Sequence, residues 1–154
     1  MIDLVRSWSG NGAEIVNLEA VVAEIVAIGR RYGGTADFIG DQQAKDWVSE
    51  SFRRAGGSFR KSEKDTSTCY LESEPFFSQG RIEIPDDATL IRELRLLERR
   101  PRPGGRVFVD HPRNGHDDLP SAVARRVANM AGATLDLSLM GGFGRRVSAQ
   151  AGNW

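Results

Sequence analysis

The apolar residues between Leu18 and Met130 change spacing repeatedly, from the helical period of about 3.6 to the extended period of about 2 and back, and this alternation constrains the fold more than any other feature. Leu18, Val21, Val22, Ile25 and Val26 share one helical face, and Gly33-Gly34 closes that segment. Thr35 to Asp41 follows as a short β-capable run ending in Gly-Asp. A second amphipathic stretch then carries Ala44, Trp47, Val48 and Phe52 up to Gly56-Gly57. Ser58 to Lys61 reads as another short strand, residues 62 to 68 as a polar loop, and the stretch with Tyr70, Leu71, Phe76 and Phe77 as a short helix ending near Gly80. Arg81-Ile82-Glu83-Ile84 alternates like a small strand. Asp86 and Asp87 precede a helix with Leu90, Ile91, Leu94 and Leu97, which Pro101-Arg102-Pro103-Gly104-Gly105 stops. Val107-Phe108-Val109 is a further strand. His111 to Gly115 is a loop, and His116-Asp117-Asp118 opens a last helix carrying Leu119, Ala122, Val123, Val127 and Met130. Strands alternating with helices predict an α/β domain.

At 154 residues the chain has material for one such domain. Twenty-one basic and 21 acidic residues cancel, so net charge gives no argument for a protein that coats a polyanion. The lone Cys69 excludes an internal disulfide and a cysteine-rich zinc site, and suits a reducing compartment. Asp3, Arg6 and Glu24 interrupt the apolar stretches near the start, so neither a signal peptide nor a membrane span is expected.

Asp41 and the Asp117-Asp118 pair stand at strand-to-helix transitions far apart in sequence. Hard carboxylate oxygens converging from two such places suit magnesium or manganese, and two such ions activate water and stabilise the leaving oxygen of a phosphodiester. The alternative reading is capping, because Asp precedes helices for reasons unrelated to catalysis. His116 is either a loop histidine satisfied by backbone or an auxiliary group beside the carboxylates. Gly141-Gly142-Phe143-Gly144 lacks the Lys-Ser/Thr of a phosphate loop, and no Walker A sequence or Gly-x-Ser-x-Gly occurs. Arg99-Arg100-Pro101-Arg102 and Arg125-Arg126 are basic clusters that suit either solvated surface or a DNA backbone.

Arg31-Tyr32-Gly33, Gly40-Asp41, Trp47, Phe52, Ser62-Glu63-Lys64, Ser67-x-x-Tyr70-Leu71, Ser78-x-Gly80-Arg81-Ile82-Glu83, Leu94-x-x-Leu97-Glu98-Arg99 and Asp110-His111-Pro112 through Gly115-His116-Asp117-Asp118-Leu119 occur in that order. This succession resembles the C-terminal nuclease domain of a tailed-phage large terminase subunit, from about Asp3 to about Val127, most specifically over Val109 to Leu119. The resemblance implies a ribonuclease-H-like mixed sheet flanked by helices. It also implies metal-dependent endonucleolytic cleavage of double-stranded viral DNA with Mg²⁺ or Mn²⁺ as cofactor. By motif, Asp41 resembles the second acidic ligand and Asp117 and Asp118 the last acidic pair, with His116 as an adjunct metal ligand. Residues 1–131 would form the nuclease-like domain and 132–154 a C-terminal tail. The implied partners are double-stranded DNA and a separate terminase ATPase fragment, the small terminase subunit or the portal, all in the bacterial cytoplasm.

The chain also departs from that pattern. The family's opening strand with its first catalytic aspartate lies upstream of what Ile2-Asp3-Leu4-Val5-Arg6 resembles, so an N-terminally truncated domain is expected, and Asp3 is in the wrong place to substitute. Ser9-Gly10-Asn11-Gly12 replaces a Pro-Pro-Phe-like segment, Thr66 stands where Lys is common, Pro120-Ser121 replaces Ala-Asn, and Arg125-Arg126 falls where a small residue packs. Two divalent ions held by too few carboxylates bind weakly, so impaired cleavage is expected. The alternative from another class is a non-catalytic DNA-binding or assembly module.

Overall fold

Asn17 starts the first helix by accepting the Ala20 N–H at 3.1 Å, which satisfies one of the free donors of the opening turn. A computed structural model of the chain describes residues 1–9, 16–32, 36–113 and 115–139. Gly33-Gly34, Gly10-Asn11-Gly12 and Gly141 to Gly144 lie outside the described residues, as does the end of the expected tail. Helix α1 (Leu18–Arg31) buries Val22 and Val26. It is followed by β1 (Asp37–Gly40), α2 (Asp46–Arg54) and β2 (Ser58–Lys61), a β-α-β unit whose strands are parallel, with Phe38 opposite Phe59 and Gly40 opposite Lys61. The strands and the two helices share one core: the Phe52 ring lies 4.9 Å from Phe38 and 5.2 Å from Phe59, against Val22 and Val26. A side chain at Gly40 would collide with the Phe59 ring, so the glycine before Asp41 is required by packing inside the sheet.

The rest of the chain is built around one helix. It comprises α3 (Thr66–Ser78), α4 (Ala88–Leu96), the strands β3 (Glu98–Pro101) and β4 (Val107–Asp110), and α5 (Asp118–Leu139). Leu119, Val123 and Val127 of α5 pack with Leu90 of α4, and Ala124 and Ala128 pack with Cys69 and Tyr70 of α3 and Val109 of β4. The two alanines let α3 approach closely, and their stripe and the leucine-valine stripe together make α5 the centre of the fold. Ile2 and Val5 of the N-terminal segment cover the leucine-valine cluster, and the Ile2 N–H donates to the Glu83 carbonyl at 2.9 Å.

Three elements differ from expectation. The polar loop after β2 is shorter than residues 62 to 68, because Asp65 accepts the Thr68 N–H at 2.7 Å and starts α3 at Thr66. Arg81 to Ile84 is not a strand; Ile82 and Ile84 both pack on the leucine-valine cluster, which the alternation of a half-buried strand mimics. The helix expected to run to Pro101 ends at Leu96, where Leu97 turns extended and Glu98 to Pro101 pair antiparallel with Val107 to Asp110. β3 is exposed at every position and so carries no apolar period to reveal it. Both parallel and antiparallel pairings occur, and among the described residues they form two two-stranded sheets. No helix among the described residues is long and apolar enough to cross a membrane.

Candidate functional site

Asp41 leaves the end of β1 with its two carboxylate oxygens spent differently. Oδ1 accepts the Gln43 N–H at 2.7 Å and the Asp41 carbonyl accepts the Ala44 N–H at 3.1 Å, which makes a tight turn. Helix α2 begins only after Lys45, so Asp41 caps this turn and not the helix. Oδ2 accepts from Arg125 Nη2 at 2.6 Å and from Thr66 Oγ1 at 3.3 Å, and Arg125 Nη2 also lies 3.2 Å from Thr66 Oγ1. Arg125 comes from the middle of α5 with its side chain 8% exposed, against 42% for Asp41. A guanidinium so far from water needs a carboxylate beside it, because an unpaired buried charge is costly. Its Nε has no hydrogen-bond partner among the described residues, and Asp41 is reached through Nη2.

Asp117, just before α5, belongs to a second group. Its Oδ2 accepts the Tyr70 hydroxyl at 2.8 Å, and its backbone carbonyl accepts the Ser121 N–H at 2.8 Å. Burial first, and the hydrogen bond to the Asp117 carboxylate second, push the Tyr70 phenol far above its usual range, so it stays a donor to this carboxylate. His111 Nε2 lies 3.8 Å from Asp110 Oδ1 and 4.0 Å from Asp117 Oδ1, between two carboxylates. The ring nitrogen Nδ1 sits 2.7 Å from the Pro112 carbonyl, and this contact, then the two carboxylates, raises the affinity of the ring for a proton. Asp118 and His116 are exposed, and the Asp118 backbone carbonyl accepts from Ser121 Oγ at 3.1 Å.

The structure therefore brings Asp41 to Arg125 and Thr66, Asp117 to Tyr70 and His111, and leaves Asp118 and His116 facing solvent. No group of three or more His, Cys, Asp or Glu side chains placed to hold a metal ion is found among the described residues. The donor set does not fit a divalent ion: Asp41 is already neutralised by a fixed cation, and Asp117 holds a hydroxyl donor on one of its oxygens. Thr66 and Arg125, two of the positions at which the chain departs from the pattern it resembles, meet on the same oxygen of Asp41.

No protein-family model matches the sequence and no curated protein matches it. Solved structures do. The crystal structure of the large terminase nuclease from thermophilic phage G20c is matched with a TM-score of 0.61 and 23% identity, over 79% of this chain and 64% of that one. The forms of the same nuclease with bound cobalt and with bound magnesium each match with a TM-score of 0.60 and 22% identity, over 78% and 77% of this chain. The chain has the fold of a terminase nuclease. It spans about 64% of the length of those structures, and the mixed α/β arrangement is the one that the sequence resemblance implies.

Sequence reasoning read Arg125 as part of a basic cluster suited to solvated surface or a DNA backbone, and gave Tyr70 and His111 no role in the site beyond their place in the motif order. Two signals pointed at Arg125: it falls where a small residue packs in the pattern the chain resembles, and it lies inside the run of small and apolar residues from Leu119 to Ala128 that the buried side of α5 needs. A long cation there has to find an anion within the fold.

Proposed function

We propose that this chain is a nuclease-type domain of phage DNA packaging that engages double-stranded DNA and whose two-metal cleavage is impaired. Residues 1–131 form the working domain in this reading, with 132–154 as its tail, and Asp41, Asp117, Asp118 and His116 are the positions inherited for metal-dependent hydrolysis. The observation that carries the reading is the terminase-nuclease fold combined with an Asp41 carboxylate held by a buried arginine. Such a module works as a DNA-holding or assembly part, in the host cytoplasm, beside a separate ATPase fragment, small subunit or portal.

The hairpin between β3 and β4 supports DNA engagement. Arg99 is paired with Glu74, and Arg100 with Glu98 at 2.8 Å, so these two stay on the protein. Arg102, which lies 4.0 Å over the Phe108 ring, and Arg106 sit at the exposed turn, and among the described residues neither has an acidic partner. Two such guanidiniums on a projecting turn suit phosphate contacts. Incubating the purified chain with supercoiled plasmid and Mg²⁺ or Mn²⁺ tests the reading, together with a mobility-shift titration on linear duplex. A shift without nicking is expected, weakened by Arg102→Ala/Arg106→Ala. Rapid nicking that Asp41→Ala abolishes overturns the impaired reading, and absence of any shift overturns DNA engagement.

A further inference from the structure

Arg125 occupies a place that packing alone would not give it. Its neighbours on α5, Val123, Ala124, Val127 and Ala128, are buried apolar residues, and the lysine or arginine stems that usually lie on a helix reach water with their charged ends. Here the charged end stays inside and one Nη touches both Asp41 Oδ2 and Thr66 Oγ1. A guanidinium carries a permanent positive charge, delivers it through fixed N–H directions and cannot be deprotonated in a protein. At 2.6 Å it takes the oxygen that a divalent ion would have to share, and an ion brought there would also be repelled by it.

We infer that Arg125 is the built-in counter-ion of Asp41, serving in place of a divalent metal, so that the intact chain has no metal affinity at this carboxylate and removal of the Arg125 charge creates one. The inference rests on the reading of the carboxylate positions as inherited from a metal-dependent nuclease. It goes further by assigning the loss of the ion to one residue of this chain.

Two measurements test it, neither involving DNA. The first is titration of Mn²⁺ followed by the paramagnetic resonance of the free ion, on the native chain, on Arg125→Gln and on Arg125→Gln/Asp41→Asn. The native chain is expected to leave Mn²⁺ free up to millimolar concentrations, Arg125→Gln to bind it at least about tenfold more tightly, and the double variant to lose that gain. Native binding that Asp41→Asn abolishes overturns the inference, and so does an Arg125→Gln variant that folds and gains nothing. The second measurement covers an Arg125→Gln chain that does not fold. The melting temperature of Asp41→Asn in the presence of chelator is expected to fall by about 5 °C, because it strands a buried cation. An unchanged or raised melting temperature is the behaviour of a carboxylate waiting for a metal, and it overturns the inference. Failure of the mobility shift leaves both measurements standing, so the two readings fail separately.

Discussion

Tyr70 and Cys69 are neighbours on α3, and each carries its own prediction. The Tyr70 hydroxyl donates to the Asp117 carboxylate at 2.8 Å. Tyr70→Phe keeps the ring in its core and removes that bond, so it is expected to cost about 1 kcal/mol, read as a lower urea midpoint with an unchanged slope. Cys69 is 0% exposed and packs on Val109, Ala124 and Ala128. Burial raises its pKa above the ordinary 9.0, with a hydrogen bond to Ser62 acting the other way. The neutral thiol is thus the folded form. Its contribution is fully present below pH 9.0, where the unfolded thiol is also neutral, and is lost as the pH rises from there toward the folded pKa. Urea midpoints at pH 7.5 and pH 10 are expected to separate less in Cys69→Ala than in the native chain, and a thiol reagent at pH 7.5 is expected to label Cys69 only as fast as the chain unfolds.

At the scale of elements, α5 decides most of the architecture, and the close approach of α3 depends on Ala124 and Ala128. Ala128 is 0% exposed, so Ala128→Leu has no room and is expected to cost about 1–3 kcal/mol by overpacking, measured by calorimetry, whereas Ala122→Leu on the exposed side of the same helix should change little. Gly40→Ala tests the sheet in the same way, since its methyl group meets the Phe59 ring. Much of this level was legible in the sequence. The spacing of Val22 and Val26 marks α1, the amphipathic stretch through Phe52 marks α2, and Ser58 to Lys61 is found as the strand it was expected to be. β3 was not legible, because a strand of four exposed residues is held by pairing with β4 and leaves no pattern of its own. The alternation of Arg81 to Ile84 misled for the opposite reason: two isoleucines reach one core from an irregular segment.

For the molecule as a whole, zero net charge means that DNA engagement has to come from where the cations stand and not from their number. Two of the four arginines in the hairpin, Arg99 and Arg100, are already answered by Glu74 and Glu98, which leaves Arg102 and Arg106 at the turn. If those two touch phosphates, the logarithm of the DNA affinity should fall with the logarithm of salt, and Arg102→Ala/Arg106→Ala should make that slope shallower by about 2. The loss should be equal for unrelated duplex sequences, since phosphate contacts read no bases.

The sequence by itself determined the alternation of strands and helices, the apolar faces of α1, α2 and α5, and the order of motifs that resembles a terminase nuclease, because hydrophobic period and short-range capping are written in neighbouring residues. It also named Asp41, Asp117 and Asp118 as candidates, though not Asp110. What those carboxylates hold was decided only by the tertiary structure, which carries Arg125 across 84 positions of sequence to Asp41 and Tyr70 across 47 to Asp117. An aspartate's partner depends on which donor the packing of distant helices leaves beside it, and that is a property of the assembled core and not of any stretch of chain.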